Sequence, residues 1–236
     1  MTMARKGKGA GVIELRNAAY GYGQQPLLAD MSLQLAPGSF HFLTGPSGAG
    51  KTTFLKLCYA ELLPTGGNVT LFGKDATTMT RDDIAAARQK IGVVHQDCQF
   101  LDHLPVTENI ALPLTVTGRD GTDQQANLSE LIGWVGLSSR ANAKPPELSG
   151  GERQRAALAR AIIMDPAVIL ADEPTGNVDW DMSLRLLTLL VELNRLGKTI
   201  LIATHDLGLI RAAKQQVPAR VLRIGGGRLQ AAGADL

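Results

Sequence analysis

The chain has 236 residues, is 44% hydrophobic and 19% charged, and carries a formal net charge of +2. That length fits one large domain, or one domain with an inserted subdomain, and the apolar share supports a sizeable core rather than a disordered chain. The small net charge and an aromatic content of 4% argue against a nucleic-acid groove or a stacking platform for single strands.

Residues 1–11 hold Arg5, Lys6 and Lys8 with no apolar run behind them. This predicts a flexible basic tail rather than a secretory signal, although such charges favour an anionic membrane surface when held against one. Residues 12–15 and 31–35 alternate apolar and polar side chains, as half-buried strands do. Phe40–Thr44 is a short apolar strand running into a glycine-rich turn, and residues 52–63 then read as a helix. Within that helix Cys58 reads as a small buried filler. Residues 69–72, 91–94, 168–171, 200–203 and 221–224 read as further short strands. From residue 97 to 161 no strand is legible, while 124–135 and 151–164 read as helices. The pattern predicts a helical insertion at 97–161 inside a nucleotide-binding core made of 12–96 and 162–229. Cys98, near its start, reads either as an inert residue or as a reactive thiol. Two cysteines supply neither a disulfide framework nor a zinc spacing, and every apolar run falls far short of the ~18–20 residues of a spanning helix.

Gly45-Pro46-Ser47-Gly48-Ala49-Gly50-Lys51-Thr52, followed by Thr53, matches G-x-x-x-x-G-K-[ST] between a strand and a helix. Glycines let backbone N–H groups approach phosphate oxygens, and the helix N-terminus adds partial positive charge. Lys51 is expected on the β- and γ-phosphates and the Thr52 hydroxyl on Mg²⁺. A GTPase needs an Asn-Lys-x-Asp element, and the dipeptide Asn-Lys does not occur. The run 167–171 ends in Asp172 and Glu173. We expect that strand to lie beside the phosphate-loop strand, so that Asp172 serves Mg²⁺ and Glu173 polarises the attacking water as general base.

Leu148-Ser149-Gly150-Gly151-Glu152-Arg153-Gln154-Arg155 resembles the LSGGQ-type signature of ABC ATPases, with Glu152 in place of the usual Gln. Its chemistry is a second anion cradle, built from a helix N-terminus, glycines and a hydroxyl. The resemblance implies that ATP-bound subunits form a head-to-tail homodimer. In it the Ser149, Gly150, Gly151 and Glu152 segment of one subunit closes over the γ-phosphate held by the other. It also implies that Tyr22, with Tyr20 as a rival, stacks on adenine. Gln96 would sense Mg²⁺ and the γ-phosphate, Asp179 belong to the D-loop, and His205 act as the switch histidine. The implied fold is an α/β P-loop NTPase: a RecA-like core, an N-terminal antiparallel β-subdomain and an inserted ABC α-helical subdomain. ATP and Mg²⁺ are the implied cofactors.

Within that family, residues 96–114, 71–75, 171–179 and 192–197 resemble the FtsE group of cell-division ATPases. The related LolD and MacB groups share the Thr-Gly-Asn element at 175–177. The FtsE resemblance implies an FtsX-like integral membrane partner, with LolC/E-like or MacB-like subunits as the alternative. It also implies a place on the cytoplasmic face of the cell membrane, with no nucleic acid. The expected coupling surface is a groove between core and helical subdomain, where Phe100 and Leu101 are either partner contacts or core residues. His95 departs from the group's pattern and reads as packing or as a pH-sensitive donor. A DNA-repair type of ABC ATPase is disfavoured: only about a hundred residues separate the two cradles, with no heptads or cysteine pairs between them.

Overall fold

A computed structural model describes residues 11–23, 25–119, 122–176 and 178–231. The basic residues Arg5, Lys6 and Lys8, and Asn177 of the element after Glu173, lie outside the described residues.

An antiparallel sheet comes first. Strands β1 (Ile13–Tyr22), β2 (Gln25–Leu35), β4 (Gly66–Leu71) and β5 (Lys74–Asp75) pair in the order β2-β1-β4-β5. β1 and β2 run well beyond the alternating stretches visible in the sequence. Their pairing is interrupted between Leu15 and Ala18 and again around Tyr20, with Asn17 and Asp30 at positive φ. Each bulge resets which face a side chain points to, so the period of two is lost although the strand continues.

The second sheet holds the chemistry. β3 (Phe40–Thr44), β6 (Ile91–Val94), β7 (Val168–Asp172), β8 (Thr199–Ala203), β9 (Ala219–Gly225) and β10 (Arg228–Ala231) run in the order β10-β9-β3-β8-β7-β6. All neighbours are parallel except β9 and β10. β3, β7 and β8 are buried throughout, which explains why they read as apolar runs rather than alternations. One expectation is corrected here. β7 is not beside β3, because β8 lies between them. The acids at the end of β7 still reach the phosphate loop, since β3, β8 and β7 end at one level. Thr204 N–H donates to Leu43 O at 3.0 Å and Glu173 N–H to Ala203 O at 2.8 Å.

The helices are α1 (Lys51–Cys58), α2 (Arg81–Arg88), α3 (Val106–Val116), α4 (Thr122–Trp134), α5 (Gly150–Ile162), α6 (Trp180–Arg195) and α7 (Leu207–Lys214). α1 stops short of the expected residue 63. Ala60 turns into left-handed backbone, and Arg88 caps the end by donating to Tyr59 O and Ala60 O. α3 escaped the sequence pattern because Pro113 sits inside it.

Phe40, Phe42, Ile169, Ile200 and Leu190 pack in one cluster of the sheet core, and Ile13, Leu43, Phe54 and Leu170 in another. Each buried side chain of this size contributes about 1.5–3 kcal/mol, and Phe42→Ala is expected to cost about 3–5 kcal/mol. A third cluster has its buried members, among them Val106, Ile110, Leu128 and Ile132, within 97–161, where no strand occurs among the described residues, and Ile163 and Leu189 pack against it from outside. α5 joins the two regions, sending Ala156 and Ala159 into that third cluster and Ala157, Leu158 and Ile162 to the sheet.

Candidate functional site

The loop between β3 and α1 begins the site. Gly50, the residue that opens α1, has φ 97°, and a Cβ there would come within 2.7 Å of Leu28 Cδ2. Only glycine fits both the left-handed backbone and the close approach of β2. Lys51 folds back over the loop, its Nζ donating to Gly45 O at 3.0 Å and lying 3.5 Å from Glu173 Oε1.

Behind the lysine, the Thr52 hydroxyl donates to Asp172 Oδ2 at 2.6 Å. Burial raises the pKa of Asp172, partly offset by that hydrogen bond. Its other oxygen, Oδ1, is buried without a hydrogen-bond partner. An unpaired carboxylate oxygen in the interior is costly. Glu173 takes a left-handed backbone with φ 44°, a strained state for a non-glycine residue and one that gathers at active sites. His205, whose side chain is 73% exposed, places Nδ1 3.0 Å from both Glu173 carboxylate oxygens. It is held between buried Thr204 and Asp206, which caps α7 by accepting from Leu209 N–H.

A cavity of about 500 Å³ gathers Gly45, Pro46, Ser47, Gly48, Gly50, Lys51, Thr52 and Thr53 with Gln96, Asp172, Glu173 and His205. Gly176, from the Thr-Gly-Asn element, also lines it, as does Leu27, which was not singled out in the sequence because nothing in its type or spacing carries chemistry. Ala49 packs at the edge of the core instead. Tyr22 stands beside the cavity, 57% exposed, its hydroxyl 3.5 Å from Thr53 Oγ1 and its ring edge-on to Tyr20. Tyr20 packs against the core, so Tyr22 is the tyrosine with a free face.

The remaining predicted residues lie elsewhere. Ser149 caps α5 in a capping box, accepting from Glu152 N–H while Glu152 accepts from Ser149 N–H. That bond, with Arg140 assisting, holds the Glu152 pKa below the usual carboxylate range. Gly151 is pressed against α6, where a Cβ would come within 2.8 Å of Met182 Cγ. Asp179 caps α6, its Oδ1 accepting from Met182 N–H at 2.8 Å. Neither Ser149, Gly150, Gly151, Glu152 nor Asp179 lines the nucleotide cavity.

The open alternatives along 95–101 separate. Phe100 packs into two clusters with the Arg160 guanidinium 4.6 Å from its ring centre, whereas Leu101 stays 43% exposed. His95 meets Tyr59 edge-on, and desolvation there lowers its pKa. Cys98 is half-buried and burial raises its thiol pKa, which favours the inert reading. Cys58 is fully buried, as expected.

A glycine cradle at a helix N-terminus, with a lysine, a hydroxyl and paired strand-end acids, defines a P-loop nucleotide hydrolase. The second, self-capped glycine cradle at the head of α5 narrows that class. The chain belongs to the ABC transporter family of ATPases, whose profile matches residues 28–176. It is 42% identical to the cell division ATP-binding protein FtsE of Haemophilus influenzae, over 88% of this chain and 94% of that protein. FtsE of Bacillus subtilis is 41% identical, over 81% of this chain and 84% of its own length. Among solved structures, the ATP-binding cassette MJ0796, a dimer in a post-hydrolysis state bound to ADP and Pi, superposes with a TM-score of 0.82. It is 31% identical and covers 93% of this chain and 98% of its own. No helix among the described residues is long and apolar enough to cross a membrane.

Proposed function

We propose that this chain is the ATP-hydrolysing subunit of a cell-division complex, working as an ATP-bound homodimer beneath an FtsX-like membrane protein. On this reading it is cytoplasmic, peripheral on the inner face of the membrane. The observation that carries it is the convergence of Lys51, Thr52, Gln96, Asp172, Glu173 and His205 on one cavity, with the Ser149 cradle left outside. Residues 12–229 form a single ABC ATPase domain in this reading, with 97–161 as its helical subdomain.

ATP enters with its phosphates on the N–H groups of residues 45–53 and its adenine on Tyr22. Lys51 exchanges its contacts with Gly45 O and Glu173 for phosphate oxygens. Among the described residues no cluster of three or more His, Cys, Asp or Glu could hold a metal without help. Asp172, with its unpaired Oδ1, and the Thr52 hydroxyl bonded to its Oδ2 would nevertheless hold Mg²⁺, with Gln96 completing the set. Bound there, Mg²⁺ would neutralise charge on the phosphates. Glu173, released by Lys51, orients and deprotonates the attacking water, and His205 holds the γ-phosphate from the exposed side. Ser149, Gly150, Gly151 and Glu152 of the other subunit close the site, with Asp179 at the seam.

For the coupling surface we favour a groove of about 450 Å³ between α2, β6, α3 and α5 that includes Arg88, His95, Pro113, Val116 and Arg160, and neither of the expected contacts Phe100 and Leu101 lines it. Val116, 82% exposed at this groove, is an apolar contact for a partner helix. A membrane pull-down with Glu173→Gln held in ATP tests the reading. Recovery of an FtsX-like protein supports it. Recovery of LolC/E-like or MacB-like subunits overturns the division role and keeps the ATPase.

A further inference from the structure

Gln154 lies in the second turn of α5, just past the signature cradle, and is only 3% exposed. Its Oε1 is buried and accepts no hydrogen bond. Leaving such an oxygen unpaired costs about 1–3 kcal/mol, so a nearby arrangement that pairs it is favoured by that amount. What the side chain faces indicates which arrangement that is. It lines a second cavity, of about 590 Å³, between α5 and the chain segment 96–102. Gln96, Asp97, Cys98 and Gln99 form the opposite wall. Gln96 also lines the nucleotide cavity, so this one residue borders both.

The segment itself is anchored at its far end. Asn109 accepts from Leu101 N–H at 2.8 Å and donates to Leu101 O and Leu104 O, each at 3.0 Å. Arg160 donates to Gln99 O at 2.6 Å and covers the Phe100 ring. Closer to the nucleotide cavity the hold is absent. Among the described residues, 96 to 98 make no backbone–backbone hydrogen bond, and Cys98 offers only a weak Sγ contact to His95 O at 3.9 Å. Gln154, whose buried Oε1 has no hydrogen-bond partner, therefore borders the same cavity as residues 96–98, whose chain makes no backbone–backbone hydrogen bond.

We propose that Gln154 is a positioning residue for ATP hydrolysis. When Gln96 is drawn toward the phosphates, a backbone N–H of residues 97–98 comes onto Gln154 Oε1 and latches the segment to α5. Filling the first cradle then fixes the pose of the helix that forms the second. The inference rests on the ATPase reading given above and adds a residue to it.

Gln154→Met keeps the length and helix propensity of the side chain and removes the acceptor. The nucleotide-free variant is expected to melt no lower than the parent, because the lost oxygen has no partner in that state and its removal relieves a desolvation cost. With ATP, kcat is expected to fall about ten-fold while KM changes less than about two-fold. Hydrogen exchange adds a readout that a packing role would not move. ATP-dependent protection at residues 96–100, present in the parent, is expected to vanish in Gln154→Met. A variant that keeps parental kcat and protection overturns the latch. So does a nucleotide-free variant that melts more than about 5 °C lower, since Oε1 must then already be paired. A parent that hydrolyses ATP without gaining protection at 96–100 overturns the latch alone, and one that hydrolyses none removes both readings.

Discussion

The two glycine cradles are built from the same parts and are equipped very differently. At the head of α1, a lysine, a hydroxyl, two acids and a histidine crowd the helix N-terminus, and they satisfy one another through Lys51–Glu173, Thr52–Asp172 and His205–Glu173. At the head of α5, Ser149 and Glu152 bond each other, and Arg140 is paired with Glu152 at 3.0 Å while Arg153 donates to Pro145 O. On the proposed reading the first cradle binds and cuts a phosphate with groups of its own chain. On the same reading the second only receives one. A helix N-terminus thus gives anion affinity, and chemistry comes from what neighbouring strand ends bring to it.

Substitutions at the first cradle should separate cutting from holding. Glu173→Gln removes the base and is expected to lower turnover by about 10²–10⁴-fold with ATP affinity retained, measured by phosphate release and nucleotide binding side by side. Parental turnover in that variant would remove Glu173 from the mechanism. Lys51→Ala takes away a charge-assisted contact of about 1.5–3 kcal/mol, so ATP should bind roughly ten- to a hundred-fold more weakly by calorimetry.

At the second cradle the contrast predicts the reverse pattern. Gly151→Ala drives a Cβ into Met182 and should cost about 1–3 kcal/mol of local packing. Its ATP affinity as a monomer should match the parent, while ATP-dependent dimerisation, followed by light scattering, should weaken. Equal loss of monomer affinity would mean that the two cradles are not independent.

The smallest effect lies under the first cradle. His41, buried in β3 beside Arg220 of β9, has its pKa lowered to about 4, chiefly by burial. The unfolded chain takes up that proton near pH 6.5, before the folded one does. Stability is therefore flat above about pH 6.5 and falls as the pH drops toward about 4. The loss should be on the order of 1 kcal/mol at about pH 5.5, and His41→Leu should flatten the melting profile over that window. An unchanged profile would assign the acid sensitivity elsewhere.

The sequence was most readable where local chemistry is self-contained. Phe40–Thr44 and Ile91–Val94 occupy the expected residues because each is a short apolar run bounded by turn residues. The phosphate loop, the strand-end acids and His205 were readable for the same reason, and the structure gathers them around one cavity. What stayed hidden depends on distant partners. The bulges of β1 and β2 erase alternation, and the end of α1 is set by Arg88, some thirty residues downstream. The insertion of β8 between β3 and β7 is a matter of sheet order, which no local pattern encodes. Gln154 looks like any polar helix residue until its burial is known.

β6 is the last strand of its sheet, bonded to β7 on one side only. The segment that carries Gln96 leaves from that margin. An arm hinged at the rim of a sheet can swing without breaking a ladder bond, whereas the same arm on β3 or β8 would have to tear pairing on both flanks. If the Gln96 segment travels as proposed, it is mounted where travel is mechanically cheapest, with the strands bearing the acids and the phosphate loop as the fixed frame.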